Sequence, residues 1–152
     1  MTPERAADQY LRHITIERGL SAHTIAAYRR DLSQYLSWLA ERDITDIATL
    51  TPALVAEFGA DAASVEPAPA ATSLARLQSS VRGLHRYLVR EGHTADDPTG
   101  RLKPPKAPQR LPKALTITQG EALLAAPSGE EPLGIRDRAL LELLYATGAR
   151  VS

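Results

Sequence analysis

The sequence predicts a mainly α-helical protein. Apolar residues recur at spacings of three and four along most of its 152 residues, and capping residues and glycines mark where these stretches begin and end. No strand pattern is strong, and only Ala114-Leu115 is a candidate for a short strand pairing. A basic, proline-rich segment divides the helices into two groups, which predicts two structural units.

The first three helices follow from their start and stop signals. Thr2 and Pro3 open the first helix, which runs to about Arg18 before Gly19. The second helix begins after Ser21 and has a single apolar stripe, formed by Ile25, Tyr28, Leu32, Tyr35, Leu36 and Leu39. The third begins at Thr51-Pro52 and gives way to an alanine- and proline-rich stretch over 62–71, which predicts a flexible loop.

The fourth helix, with Thr72 or Ser73 as its predicted cap, has two contrasting sides. Its apolar side chains fall within an arc of about 80°, and they are Leu74, Leu77, Val81, Leu84 and Leu88. The other side carries Arg76, Ser79, Arg82, Gly83, Arg86 and Arg90. A solvated helix face usually mixes charges of both signs, whereas this one contains no acid before Glu91. The pattern therefore favours a polyanion over plain solvated surface, which is the simpler alternative.

The basic segment spans 103–113 and contains every lysine of the chain. Its prolines predict a stiff, extended connection. After it, Thr116 and Gln119 form a predicted capping box that opens a helix ending near Ala126. A last helix, from about Ile135 to Ala146, stops at Thr147-Gly148 and is followed by Arg150.

Charge is sorted along a chain whose net charge is zero. Residues 76–113 carry nine cationic and three acidic side chains, whereas residues 41–66 carry six acidic and one cationic. This polarity predicts a nucleic-acid-binding surface that mostly contacts phosphates. The candidate DNA-binding residues are Arg76, Ser79, Arg82, Arg86, Arg90, Lys106, Arg110 and Lys113. Arg82 and Arg86 are the candidates for reading guanine in the major groove, and the sequence does not decide between the arginines.

Several classes of site are excluded or disfavoured by composition. There is no cysteine, and the four histidines do not form a helical pair, so no metal site is expected. No apolar run is long enough to span a membrane, and the chain does not open with a signal segment. We expect a cytoplasmic protein with no membrane partner, no cofactor and no small-molecule substrate.

The stretch 133–152 closely resembles the first conserved box of Xer-type tyrosine site-specific recombinases. Further segments, at 17–24, 28–32, 87–92 and 110–113, look like the core-binding domain and interdomain linker of that family. The resemblance implies an amino-terminal SAM-like core-binding domain of four to five helices over 1–102. It also implies a linker over 103–113 and the start of a catalytic domain over 114–152.

The resemblance also implies a role for Arg150. The matching arginine of the family binds the scissile phosphate, and a guanidinium there would stabilise the charge that develops during attack. The family's tyrosine nucleophile and its other catalytic residues would lie beyond Ser152, so we expect no strand cleavage by this chain alone. The complete enzyme is expected to form a tetramer with a second recombinase on paired DNA sites. It would resolve chromosome dimers without metal or ATP.

Two other functions fit the residues. One is a noncatalytic helical DNA-binding module, in which Arg150 has no catalytic role. The other is a helical protein-binding domain whose sorted charges form interdomain salt bridges. A later His-x-x-Arg motif and tyrosine would favour the enzyme over the first alternative, and binding that weakens steeply with salt would argue against the second.

Overall fold

The structure is a computed structural model, and it describes residues 1–103, 114–127 and 131–150. These residues form six α-helices, named α1 to α6 in chain order: Pro3–Ile16, Ala22–Ala40, Pro52–Ala63, Ala71–Arg90, Ile117–Ala125 and Pro132–Thr147. Two short 3-10 turns lie at Ile47–Thr49 and Pro98–Arg101. The described residues contain no strand, and the Ala114-Leu115 pairing is therefore wrong. The prediction of a mainly α fold is confirmed.

Four helix starts are fixed by the caps that the sequence predicts. The hydroxyls of Thr2, Ser21, Thr51 and Thr116 each accept a hydrogen bond from a backbone N–H in the first turn of the helix that follows. At α5 the capping box is complete, because Gln119 also reaches back to the backbone N–H of Thr116 at 3.0 Å. These local hydrogen bonds replace the ones that the first turn of a helix leaves unmade.

Other boundaries differ from the expectation. Helix α1 ends at Ile16 and not at Arg18, and α6 begins at Pro132, three residues early, because proline is well suited to the first turn. The predicted cap of α4 at Thr72 or Ser73 is wrong. The cap position is Ala70, whose carbonyl accepts from the backbone N–H of Leu74 at 3.0 Å, so helix-favouring alanine extends the helix upstream.

Helices α1 to α4 share one apolar core. The predicted apolar arc of α4 is buried along its whole length, from Leu74 to Leu88. It packs with Ile14 of α1, with Tyr35 of α2 and with Phe58 of α3. The ring centroids of Tyr35 and Phe58 are 4.7 Å apart in a tilted arrangement that aromatic pairs favour. This packing leaves exposed the residues on the opposite side of α4, namely Arg76, Ser79, Arg86 and Arg90.

The chain divides into two compact units, Met1–Pro108 and Gln109–Ser152. In the second unit, α5 and α6 contact each other and flank an apolar cavity of about 360 Å³. Helix α6 stops at Gly148, which has a left-handed backbone with φ of 62°, as the sequence predicts. No helix of the described residues combines the length and apolarity needed to cross a bilayer.

Candidate nucleic-acid interface

A groove of about 580 Å³ runs along the polar side of α4. The turn between α1 and α2, together with the start of α2, forms its other wall. Four predicted contacts of α4 line it, namely Ser79, Arg82, Arg86 and Arg90, together with Tyr10, His13, Arg18, Leu20, Thr24, Tyr28, Gly83 and Tyr87. Four arginines from two parts of the chain therefore lie around one concave surface. Such a surface suits an extended polyanion.

Gly83 sets how closely α1 approaches the bottom of this groove. A Cβ atom built at Gly83 would collide with the hydroxyl and ring of Tyr10, and Tyr10 is only 4% exposed. Only glycine therefore allows α1 to pack directly on the polar side of α4. Burial raises the pKa of Tyr10 to about 12, so its hydroxyl is neutral near pH 7.

Arg76 is held by a carboxylate that the helix pattern does not reveal. Its Nε and Nη2 donate to the two carboxylate oxygens of Asp31 on α2, at 2.9 and 3.0 Å. Asp31 is 5% exposed, and its hydrogen bonds raise the pKa of the Arg76 guanidinium. A forked pair of this kind joins two helices strongly. Arg76 was predicted as a DNA contact, but its side chain does not line the groove.

Arg82 also has a partner within the protein. Its Nη2 donates to the backbone carbonyl of Leu102, the last buried residue before the basic segment. Arg82 still lines the groove, since only one of its nitrogens makes this contact. A guanidinium has five donor hydrogens, so it can serve both partners.

Arg86 and Arg90 are the more exposed arginines of α4. The Arg86 side chain is 74% exposed, and its Nε lies 3.9 Å from a carboxylate oxygen of Asp97. Arg90 donates to Glu91 at 3.0 Å and contacts Nε2 of His13 at 3.0 Å. The pairs with Asp97 and Glu91 lie near the surface and contribute little energy, so a phosphate can replace these carboxylates at small cost. His13, in contrast, is buried.

The other wall of the groove was missed by sequence reasoning. Arg18, Thr24 and Tyr28 line it, although none of them is in the predicted set. Arg18 directly precedes Gly19, whose φ of 56° turns the chain between α1 and α2. A cation next to such a turn is the signal that could have found it.

The remaining predicted residues lie elsewhere. Lys106, Arg110 and Lys113 lie outside the described residues, as does most of the predicted linker. Arg150 is exposed and follows Gly148 in the second unit. The described residues contain no group of three side chains placed to bind a metal ion.

The groove falls within a recognised domain. Residues 7–92 match the family model described as phage integrase, N-terminal SAM-like domain. The chain belongs to this family. Within the SAM-like domain, both walls of the groove, from Tyr10 to Arg90, lie inside the matched residues.

Relatives extend the similarity past the SAM-like domain. Tyrosine recombinase XerD of Mycobacterium tuberculosis strain H37Rv is 45% identical over 152 residues, covering 94% of this chain and 49% of the relative. Tyrosine recombinase XerD of Vibrio cholerae serotype O1 is 43% identical over 153 residues, covering 100% of this chain and 50% of the relative. The chain thus spans about half the length of these relatives. The resemblance to the amino-terminal portion of Xer-type recombinases is confirmed.

A solved structure supports the fold of the SAM-like domain. The N-terminal domain of a phage integrase/site-specific recombinase from Haloarcula marismortui superimposes with a TM-score of 0.62 at 24% identity. The match covers 69% of this chain and 97% of that domain. This likeness concerns the fold alone, and it confirms the predicted SAM-like architecture.

Proposed function

We propose that this chain is the DNA-binding amino-terminal portion of a Xer-type tyrosine recombinase, and that the groove along α4 contacts duplex DNA. The observation that carries the proposal is the concentration of Arg18, Arg82, Arg86 and Arg90 around one groove of the SAM-like domain. The net positive charge of residues 76–113 supports it, and so does the similarity to tyrosine recombinases.

The residues of the groove differ in the partners that they already contact within the protein. Arg86 pairs only at the surface, Arg90 pairs with the exposed Glu91 and also contacts the buried His13, and Arg18 is exposed. These three are the proposed phosphate contacts. Ser79 is exposed beside them, but its hydroxyl already donates to the backbone carbonyl of Ala75 at 2.9 Å. Arg76 is better explained by its pair with Asp31, which holds α2 against α4.

A charge-reversal pair tests the assigned surface. In fluorescence anisotropy with a labelled mixed-sequence duplex, Arg18→Glu with Arg86→Glu should weaken binding about tenfold or more and flatten its dependence on salt. The matched control is Arg5→Glu with Arg12→Glu, which changes the net charge equally on exposed positions of α1 that do not line the groove. Equal loss in both variants would mean that net charge, and not the groove, determines binding.

For the complete protein we propose the organisation that the resemblance implies. Residues 1–102 would form the core-binding domain, 103–113 the linker and 114–152 the start of the catalytic domain. Arg150 would hold nonbridging oxygens of the scissile phosphate by its guanidinium fork. Arg150→Ala should lower the salt slope of binding to duplex by about one phosphate contact, whereas the exposed Arg138→Ala should not.

The same proposal covers the assembly and the cellular role of the complete protein. A second recombinase of the family would join this one in a tetramer on paired sites, in the cytoplasm, to resolve chromosome dimers. The relatives named as tyrosine recombinases support a role in recombination, and the SAM-like domain supports the DNA contact. Analytical ultracentrifugation of the full-length protein on a two-site DNA would show four protomers if this is correct and one or two if it is not.

A further inference from the structure

The residues just before the basic segment are packed firmly onto the first unit. Asp97 caps the 3-10 turn Pro98–Arg101, since its carboxylate accepts from the backbone N–H and the hydroxyl of Thr99 at 2.8 and 2.6 Å. Thr99 and Leu102 are each only 3% exposed, whereas Lys103 is exposed. The chain therefore leaves the core between two consecutive residues, Leu102 and Lys103.

Helix α3 holds the side chain of Leu102. A Cβ atom built at Gly59 of α3 would lie 2.8 Å from Cδ2 of Leu102, which is closer than nonbonded carbons approach. The leucine thus occupies the space that the missing side chain leaves. Its apolar contacts hold the side chain, but they do not fix the direction of the backbone that follows.

Helix α4 holds the backbone of the same residue. The carbonyl of Leu102 accepts from the Arg82 guanidinium, and a backbone carbonyl in a buried residue needs such a partner. One turn later, Arg86 lies 3.9 Å from the carboxylate of Asp97. The Arg82 contact is the closer of the two, and it acts on the peptide group that joins Leu102 to Lys103.

We propose that Arg82 is a positioning residue that fixes where and in which direction the chain leaves the helical unit, and that it does not read a base. Holding the Leu102 carbonyl fixes the orientation of the peptide plane through which Lys103 departs. The backbone between Leu102 and Lys103 then has one orientation and not many. Because Arg82 also lines the groove, the residue lies between the proposed DNA surface and the start of the basic segment.

The absence of cysteine from the chain makes a distance measurement direct. Spin labels on Ser37→Cys, at an exposed position of α2, and on Lys103→Cys report how widely residue 103 is distributed relative to the helical unit. With Arg82 present, pulsed electron paramagnetic resonance should give one narrow distance distribution. Arg82→Met keeps the apolar stem and removes the donors, so it should broaden the distribution about twofold or more.

Arg86→Met removes the more distant arginine and should leave the distribution narrow. An unchanged width in Arg82→Met, or equal broadening in both variants, would overturn the assignment. Trp38 fluorescence shows whether each variant is folded. If Arg82→Met does not fold, Arg82→Gln, which keeps a polar tip, replaces it in the comparison. The measurement contains no DNA, so a failed DNA-binding proposal would leave its result intact.

Discussion

The Arg76–Asp31 pair gives the sharpest prediction, because it separates a structural arginine from a DNA-binding one. Removing one partner of a fully buried ion pair costs about 3–5 kcal/mol. The Asp31 side chain is 6% exposed but that of Arg76 is 42% exposed, so water replaces part of what is lost. We therefore expect Arg76→Ala to lower the free energy of unfolding by about 2 kcal/mol. Arg76→Glu should cost more, because it places a second carboxylate against Asp31.

The assay uses the one tryptophan of the chain. Trp38 lies in α2 and is 8% exposed, so its fluorescence during urea denaturation follows the first unit. Arg5→Ala, at an exposed position of α1, is the control and should change stability by less than about 0.5 kcal/mol. In a double-mutant cycle with Asp31→Asn, the coupling energy should be about 1–2 kcal/mol.

Two results would refute this reasoning. The pair would not be structural if Arg76→Ala cost less than about 0.5 kcal/mol. The division of roles among the arginines would also be wrong if Arg76→Ala weakened duplex binding as strongly as Arg86→Ala while stability stayed unchanged.

Two further predictions concern the interior of the first unit. Gly83→Ala should destabilise it by about 1–3 kcal/mol in the same urea assay, because the added methyl group collides with the buried Tyr10; a neutral effect would show that α1 does not pack there. Burial lowers the pKa of His85 from 6.5 to about 4. Between these pH values His85 is therefore mostly protonated in the unfolded chain but neutral in the folded protein. Stability should therefore fall by up to about 3 kcal/mol between pH 6.5 and 4, and His85→Gln should lack this component; equal pH profiles would contradict the burial of a neutral imidazole.

Most helices could be predicted because their signals are local. The hydroxyl of Thr2 caps α1 through Arg5, three residues away, and the arc from Leu74 to Leu88 depends only on helix periodicity. Interactions within one helical turn involve residues that are close in the sequence, so the sequence alone predicts them. The early start of α4 was missed because its cap, Ala70, carries no side-chain acceptor to signal it.

Contacts between distant segments could not be predicted in the same way. Asp31 and Arg76 are 45 residues apart, and so nothing near Arg76 distinguishes it from Arg86. His85 is likewise fully buried, with its Nε2 3.0 Å from the Tyr35 hydroxyl. The packing of other segments against α4, and not the local sequence, decides which of its polar side chains find partners.

Backbone amide shifts measured by NMR during titration with a duplex show whether DNA contacts the groove between α4 and the α1–α2 turn. We expect the largest changes in Arg18–Thr24 and Ser79–Arg90, the two walls of the groove. Changes concentrated instead on the acidic region of α3, around Glu57 and Asp61, would contradict it.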